Sequence, residues 1–242
     1  MITMQIKTTT ANPKGKNMKK YFRLFVIIIL HSQLSILISS CTIDAYEKGE
    51  GDYSLMTAEF VEAYVGSDKT VAYVETDDGE RLTLQSGFTT TWIQTADTTY
   101  RALLYYNKVR ASEVEPVSMS RVGVLQQRDS VKGGMKTDPL YIESAWLSKN
   151  RKYLNLRIRL LTGSTDDEEA QHVIGLLRDT LASTPSHLRL QLYHDQGGCP
   201  EYYSFVTYAS IPLADIAADT ITLNINTYEG MMSRSFCPSQ GH

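Results

Sequence analysis

From residue 59 onward, apolar and polar side chains alternate along short runs broken by glycine, asparagine and aspartate. This is the two-residue period of strands with one buried face. Glu59–Val65 and Lys69–Glu75 are β-forming runs, and Asp77-Asp78-Gly79 marks a hairpin turn whose returning strand is Arg81–Leu84. Tyr100–Val109 and Val117–Gln126 add two more. Five short strands in about 75 residues, with no amphipathic helix among them, predict a small barrel.

Gly133-Gly134 and Pro139 then interrupt the pattern and read as a domain boundary. Tyr141–Trp146 and Tyr153–Leu161 follow as strands joined by a polar turn. In the second, Leu154, Leu156, Ile158 and Leu160 face one way and Asn155, Arg157 and Arg159 the other, a sheet with one dry and one wet face. Residues 164–182 read two ways. Thr165-Asp166-Asp167-Glu168 fits a helix cap with Ile174, Leu177 and Leu181 at helical spacing, while His172–Leu177 fits a strand. His187–His194, Tyr202–Ile211 and Thr220–Thr227 supply further strands, and a two-sheet sandwich is the natural closure.

The amino-terminal region follows a different grammar. Met18-Lys19-Lys20 is a basic start, Leu24–Ile38 an apolar stretch, and Ile38-Ser39-Ser40-Cys41 ends on small residues before a cysteine. These are the parts of a secretory signal peptide of the bacterial lipoprotein kind, with Cys41 the lipidated first residue of the mature chain. The competing readings are an uncleaved anchor and a buried segment. Leu24–Leu30, ahead of His31, Ser32 and Gln33, falls far short of the roughly 20 apolar residues a spanning helix needs. Met1–Asn17 does not suit a signal, so translation is expected to start at Met18. The expected organisation is signal peptide 1–40, lipidated tether 41–52, barrel domain 53–130 and sandwich domain 138–238.

Charge narrows the partners. The chain holds 24 basic and 27 acidic residues, and all six basic residues of 1–40 leave with the signal. The mature chain then carries 18 against 27, a formal charge of −9. Such a surface repels phosphate backbones, so nucleic acid is not an expected partner. With Cys41 reserved for lipid, Cys199 and Cys237 are an even pair that an oxidising envelope would allow to bridge; the alternative is two unrelated thiols.

In order, Glu59–Tyr64 (E-F-V-E-A-Y), Thr70–Gly79 (T-V-A-Y-V-E-T-D-D-G), Asp97–Tyr106 (D-T-T-Y-R-A-L-L-Y-Y) and Arg121–Leu125 (R-V-G-V-L) form one series of motifs. Tyr141–Ser148 (Y-I-E-S-A-W-L-S), Lys152–Arg159 (K-Y-L-N-L-R-I-R), Leu188–Asp195 (L-R-L-Q-L-Y-H-D) and Pro200–Leu213 (P-E-Y-Y-S-F-V-T-Y-A-S-I-P-L) continue it. Through this order the chain resembles the NigD-like lipoproteins of Bacteroidetes over nearly all of its mature length. The resemblance implies an OB-like barrel followed by a β-sandwich behind a lipoprotein signal, an all-β chain, and it favours the strand at 172–177. It also brings a proposed link to bacteriocin immunity, and no established catalytic or binding residues to carry over.

Candidate chemistry is sparse. No histidines stand at metal-ligand spacing; His172 and His194 could meet across strands, though polar strand positions are their more ordinary role. Asp166–Glu169 lacks the spacing and central glycine of a calcium loop and reads as a solvated turn. No nucleophile elbow or phosphate loop is present; Gly197-Gly198 reads as a turn. Of 15 tyrosines, Tyr100, Tyr105, Tyr106, Tyr202, Tyr203 and Tyr208 fall in strands and are expected to pack in cores, with a stacking platform for a ligand as the alternative. The expectation is a non-catalytic lipoprotein of the cell envelope, held in the outer membrane on its periplasmic or surface face. It has no cofactor or metal and binds an envelope protein or glycan; an immunity-like protective lipoprotein is the alternative.

Overall fold

The computed structural model describes residues 56–167 and 170–238. Cys41, the signal segment with Met18, and the tether lie outside the described residues. Every regular element described is a strand. β1 (Thr57–Val65), β2 (Val71–Thr76), β3 (Arg81–Leu84), β4 (Thr98–Lys108) and β5 (Glu113–Arg121) close a barrel in the order β1-β2-β3-β5-β4. The turn after β2 uses Gly79 at φ 84°, the left-handed conformation that glycine adopts without steric cost. Inside lie Val61, Ala63, Val74, Leu82, Ala102, Leu104 and Tyr106. Tyr106 is wholly buried, and its hydroxyl donates to Glu59 Oε2 at 2.9 Å.

β6 (Gly123–Val124), β7 (Gln127–Arg128), β8 (Tyr141–Leu147), β9 (Tyr153–Thr162) and β10 (Val173–Arg178) follow. β11 (His187–Asp195), β12 (Tyr203–Pro212), β13 (Thr220–Thr227) and β14 (Gly230–Phe236) complete the chain. One sheet runs β14-β13-β11-β10-β7 and the other β6-β12-β9-β8. Leu154, Leu156, Ile158 and Leu160 face Leu188, Leu190, Leu192, Ile221 and Leu223 in the shared core. Residues 173–178 are a strand, so the helical alternative fails: Ile174 and Leu176 reach the core at period two, and pairing with β11 satisfies the backbone.

The domain boundary moves. Residues 123–128 were expected in the barrel, but β6 pairs with β12 and β7 with β10, one in each sheet of the sandwich. Gly133-Gly134, both at positive φ, form a turn after this fastening rather than the boundary. Barrel and sandwich belong to one compact unit. Residues 101–104 of β4 are all buried, because Ala102 and Leu104 face the barrel core while the opposite face meets the sandwich.

At that junction Arg101 binds Asp77 through two contacts, 2.7 and 2.8 Å. It also donates to Asn155 Oδ1 (3.0 Å) and Ser210 Oγ (3.1 Å), and its guanidinium lies 4.1 Å from the Tyr153 ring centroid. Asn155, expected on a wet face, is fully buried because that face meets the barrel. Lys152 Nζ joins Glu62 (2.7 Å) and Glu75 (2.6 Å), and the Tyr153 hydroxyl donates to Glu62 at 2.8 Å. Burial, then the Glu62 carboxylate, pushes the Tyr153 hydroxyl up to about 12. Burial also works against the charged Glu62, but the bonds from Lys152 and Tyr153 outweigh it and hold that carboxyl below its ordinary range. Phe60 closes the junction edge-on to Trp146 and Tyr208.

Candidate binding site at the open end of the sandwich

The polar groups of the junction bond to one another and leave little for chemistry. The other end of the sandwich is different. β11 ends as His194 forms a bridge with Thr137, its N–H bonding the Lys136 carbonyl and its own carbonyl accepting from the Asp138 N–H. Its Nδ1 lies 2.9 Å from the Asp138 carbonyl oxygen, and its Nε2 lies 3.0 Å from His172 Nδ1 just ahead of β10. The two rings stack, 14° from parallel. The meeting across strands therefore occurs.

Tautomers follow from the partners. A carbonyl only accepts, so His194 Nδ1 donates to Asp138. In a neutral pair His194 Nε2 then accepts from His172 Nδ1. Burial, then the neighbouring His194, lowers the His172 pKa from its ordinary value; the Leu161 backbone works in the opposite direction. Each inner nitrogen is spent on the other ring, and no cluster of three potential metal ligands occurs among the described residues.

His187 contacts Thr222 Oγ1 at 2.7 Å, and Thr222 contacts Ser235 at 2.8 Å. Among the described residues no carboxylate hydrogen-bonds this imidazole, and the three side chains line successive strands of one sheet. They form a polar ladder, not the base-activated nucleophile of a triad.

Around the histidine pair stand aromatics that sequence reasoning put in a core. Tyr202 is 79% exposed, Tyr203 56%, Phe205 40% and Val206 38%. Phe205 sits edge-on to His172, with centroids 6.1 Å apart. Tyr202 lies over Gly163, where a Cβ would come within 2.6 Å of its ring. The loop after β11 turns at Gly197, φ 59°, where a Cβ would fall 2.1 Å from the Gln171 carbonyl oxygen; only glycine fits. The legible signal was the run Tyr202-Tyr203-Ser204-Phe205-Val206, large on both strand faces where a half-buried strand alternates. Tyr106, by contrast, is a core residue as expected, and Tyr208 packs at the junction.

Alternation explains the exposure. Ala209 and Ile211 point into the core, so Thr207, Phe205 and Tyr203 point to the same inter-sheet side. β12 pairs with β9 from Tyr203 to Pro212, whereas β6 covers only Ala209 and Ser210. On the opposite sheet β7 covers β10 only at Leu176 and Leu177. The segment 123–128 thus closes half of the seam between the sheets. Beside it, a cavity of about 230 Å³ is lined by Val124, Leu125, Val131, Val173, Ile174 and Tyr193.

Cys199 and Cys237 do not bridge; both are free thiols. Phe236 pairs with Ile221, which pairs with Leu188 at the start of β11, while Cys199 lies beyond its end at Asp195. Seven residues of strand, about 23 Å, separate those levels, against the roughly 7 Å Cα limit of a disulfide.

Residues 123–237 match the NigD-like C-terminal beta sandwich domain. No curated protein matches the chain. Among solved structures, it resembles a NigD-like immunity protein from Bacteroides caccae at 23% identity and TM-score 0.58, covering 76% of this chain and 97% of that one. A candidate toxin-related protein from Parabacteroides distasonis aligns at 16% identity and TM-score 0.57, over 75% and 92% of the two chains. A candidate lipoprotein from Bacteroides fragilis aligns at 11% identity and TM-score 0.54, over 75% and 96%. At these identities the likeness is one of fold.

Proposed function

We propose, from its membership of the NigD-like family through residues 123–237, that this chain is a non-catalytic binding module of the cell envelope. It is held at a membrane by lipid on Cys41 and engages an envelope protein or glycan through the open end of its sandwich. The carrying observation is the exposed group Tyr203, Phe205 and Val206 on a strand whose continuation, Ala209 and Ile211, is core. A single strand passing from interior to exposed aromatics is the composition of a recognition surface rather than of a fold requirement. The signal grammar of residues 18–41 and the acidic mature charge agree with this reading, as does the candidate-lipoprotein description of the B. fragilis relative. The name of the B. caccae relative favours a second reading, a protective lipoprotein that captures a toxin.

A photo-crosslinking residue at Tyr203, followed by recovery from solubilised membranes, tests the proposal. Adducts that disappear with Phe205→Ser are expected; an adduct pattern equal to that of a probe at exposed Arg178 would refute it.

A further inference from the structure

Four stretches of strand edge in the sandwich are open among the described residues, one of them the short piece Val173–Gly175 of β10 that β7 leaves uncovered. β14 displays Ser233, Arg234 and Ser235 along its edge, and β8 carries Glu143 and a bulge between Ile142 and Ser144. Charged residues and bulges are how sheets discourage strand addition. The remaining stretch, Tyr203–Thr207 of β12, has neither. Its outward backbone groups have no partner among the described residues, and its side chains include Tyr203, Phe205 and Val206.

We infer that this half of β12 docks an extended polypeptide strand, which continues along β12 the ladder that β6 begins at Ala209 and Ser210. The inference rests on the proposed binding role of this end and names its partner class. Backbone pairing supplies affinity, and alternate apolar side chains of the incoming strand enter the seam beside Tyr203 and Phe205. A glycan offers no regular row of donors and acceptors to match that edge. Charge selects further. The register partner of Tyr203 is Thr162, exposed Asp166 follows four residues on, and the mature chain holds 18 basic against 27 acidic residues, so the incoming strand carries Lys or Arg at the end near Tyr203. A second copy of this chain, itself acidic, brings no such complement.

The probe is the peptide Lys-Lys-Val-Thr-Val-Thr-Val-Thr-Lys-Lys, with a twin N-methylated at its valines and threonines, added to the detergent-solubilised full chain. Hydrogen exchange at single-amide resolution is expected to slow about tenfold or more at alternate amides of Tyr203–Thr207, with no change along β14. The N-methylated twin should bind about tenfold more weakly or worse, with no change to the protein that could disturb its folding. Equal binding of the twin, or no amide protection at about 1 mM peptide, overturns strand addition. So does protection that appears without peptide as the chain is concentrated, which would make the occupant a second copy. Capture at Tyr203 from membranes without amide protection discards the strand mode and leaves the binding end standing.

Discussion

Arg101 on the barrel donates to Asn155 on the sandwich at 3.0 Å, and both side chains are removed from water. A guanidinium so placed is tolerated because Asp77, Asn155, Ser210 and the Tyr153 ring surround it. Arg101→Ala strands the Asp77 carboxylate and should cost about 3–5 kcal/mol in chemical denaturation. Arg101→Met with Asp77→Leu should recover most of that loss.

The same contacts argue against separable halves. Heating should give one transition, with tryptophan fluorescence from Trp92 (barrel) and Trp146 (sandwich) moving together. Two resolved transitions, or stable separate fragments after nicking at 131–139, would contradict the coupling.

His172 sets a pH dependence. Its ordinary value is 6.5 and the folded value is lower, so between the two the unfolded chain binds the extra proton. Stability is full above 6.5, falls as pH drops through it toward the folded value, and is flat below that for this group. His172→Phe should remove this slope in denaturation at pH 7.5 and 5.5. Glu62, held low, contributes stability that is lost only at more acid pH, below the ordinary 4.5.

Two glycines predict opposite phenotypes. Gly197→Ala places a methyl against backbone and should destabilise by about 2 kcal/mol while disturbing the His172–His194 bond, read by imidazole nitrogen shifts. Gly163→Ala meets side chains rather than backbone, the exposed ring of Tyr202 and Pro200 Cβ at 2.9 Å, both in the segment that leads into β12. Its stability cost should be the smaller of the two, about 1 kcal/mol, while crosslinking at Tyr203 changes.

Thiol reagents should distinguish the free cysteines. Exposed Cys237 should react in the native state, and buried Cys199 only after unfolding. Cys41→Ala should release the chain from membranes or leave it unprocessed; unchanged mass and partition would defeat the lipid anchor.

Strands were legible wherever one face is dry, because period two then survives in the residues: β9, β11 and β13 read off directly. Legibility failed where a face is dry for another reason. Asn155 and Arg101 look like wet positions until the barrel covers them. Residues 123–128 are too short for any period, and β14 alternates little because its outer edge is solvated. The candidate site was half visible. His172 and His194 were a pair only in the alternative, since their meeting depends on strand order. Tyr202 and Tyr203 were assigned to packing because a sequence does not say where a neighbouring strand stops.

That stopping point matters for exchange between proteins. Arg121 ends the barrel and Gly123 begins the sandwich with one residue between, and the next few residues fasten both sheets. A sandwich excised from residue 138 would lack both fastenings, and a barrel carried to residue 130 would export them as orphans. Recombination between relatives that preserves folding therefore has one narrow crossover, at Val122. A cut there still trades away the guanidinium clamp unless both sides bring matching partners.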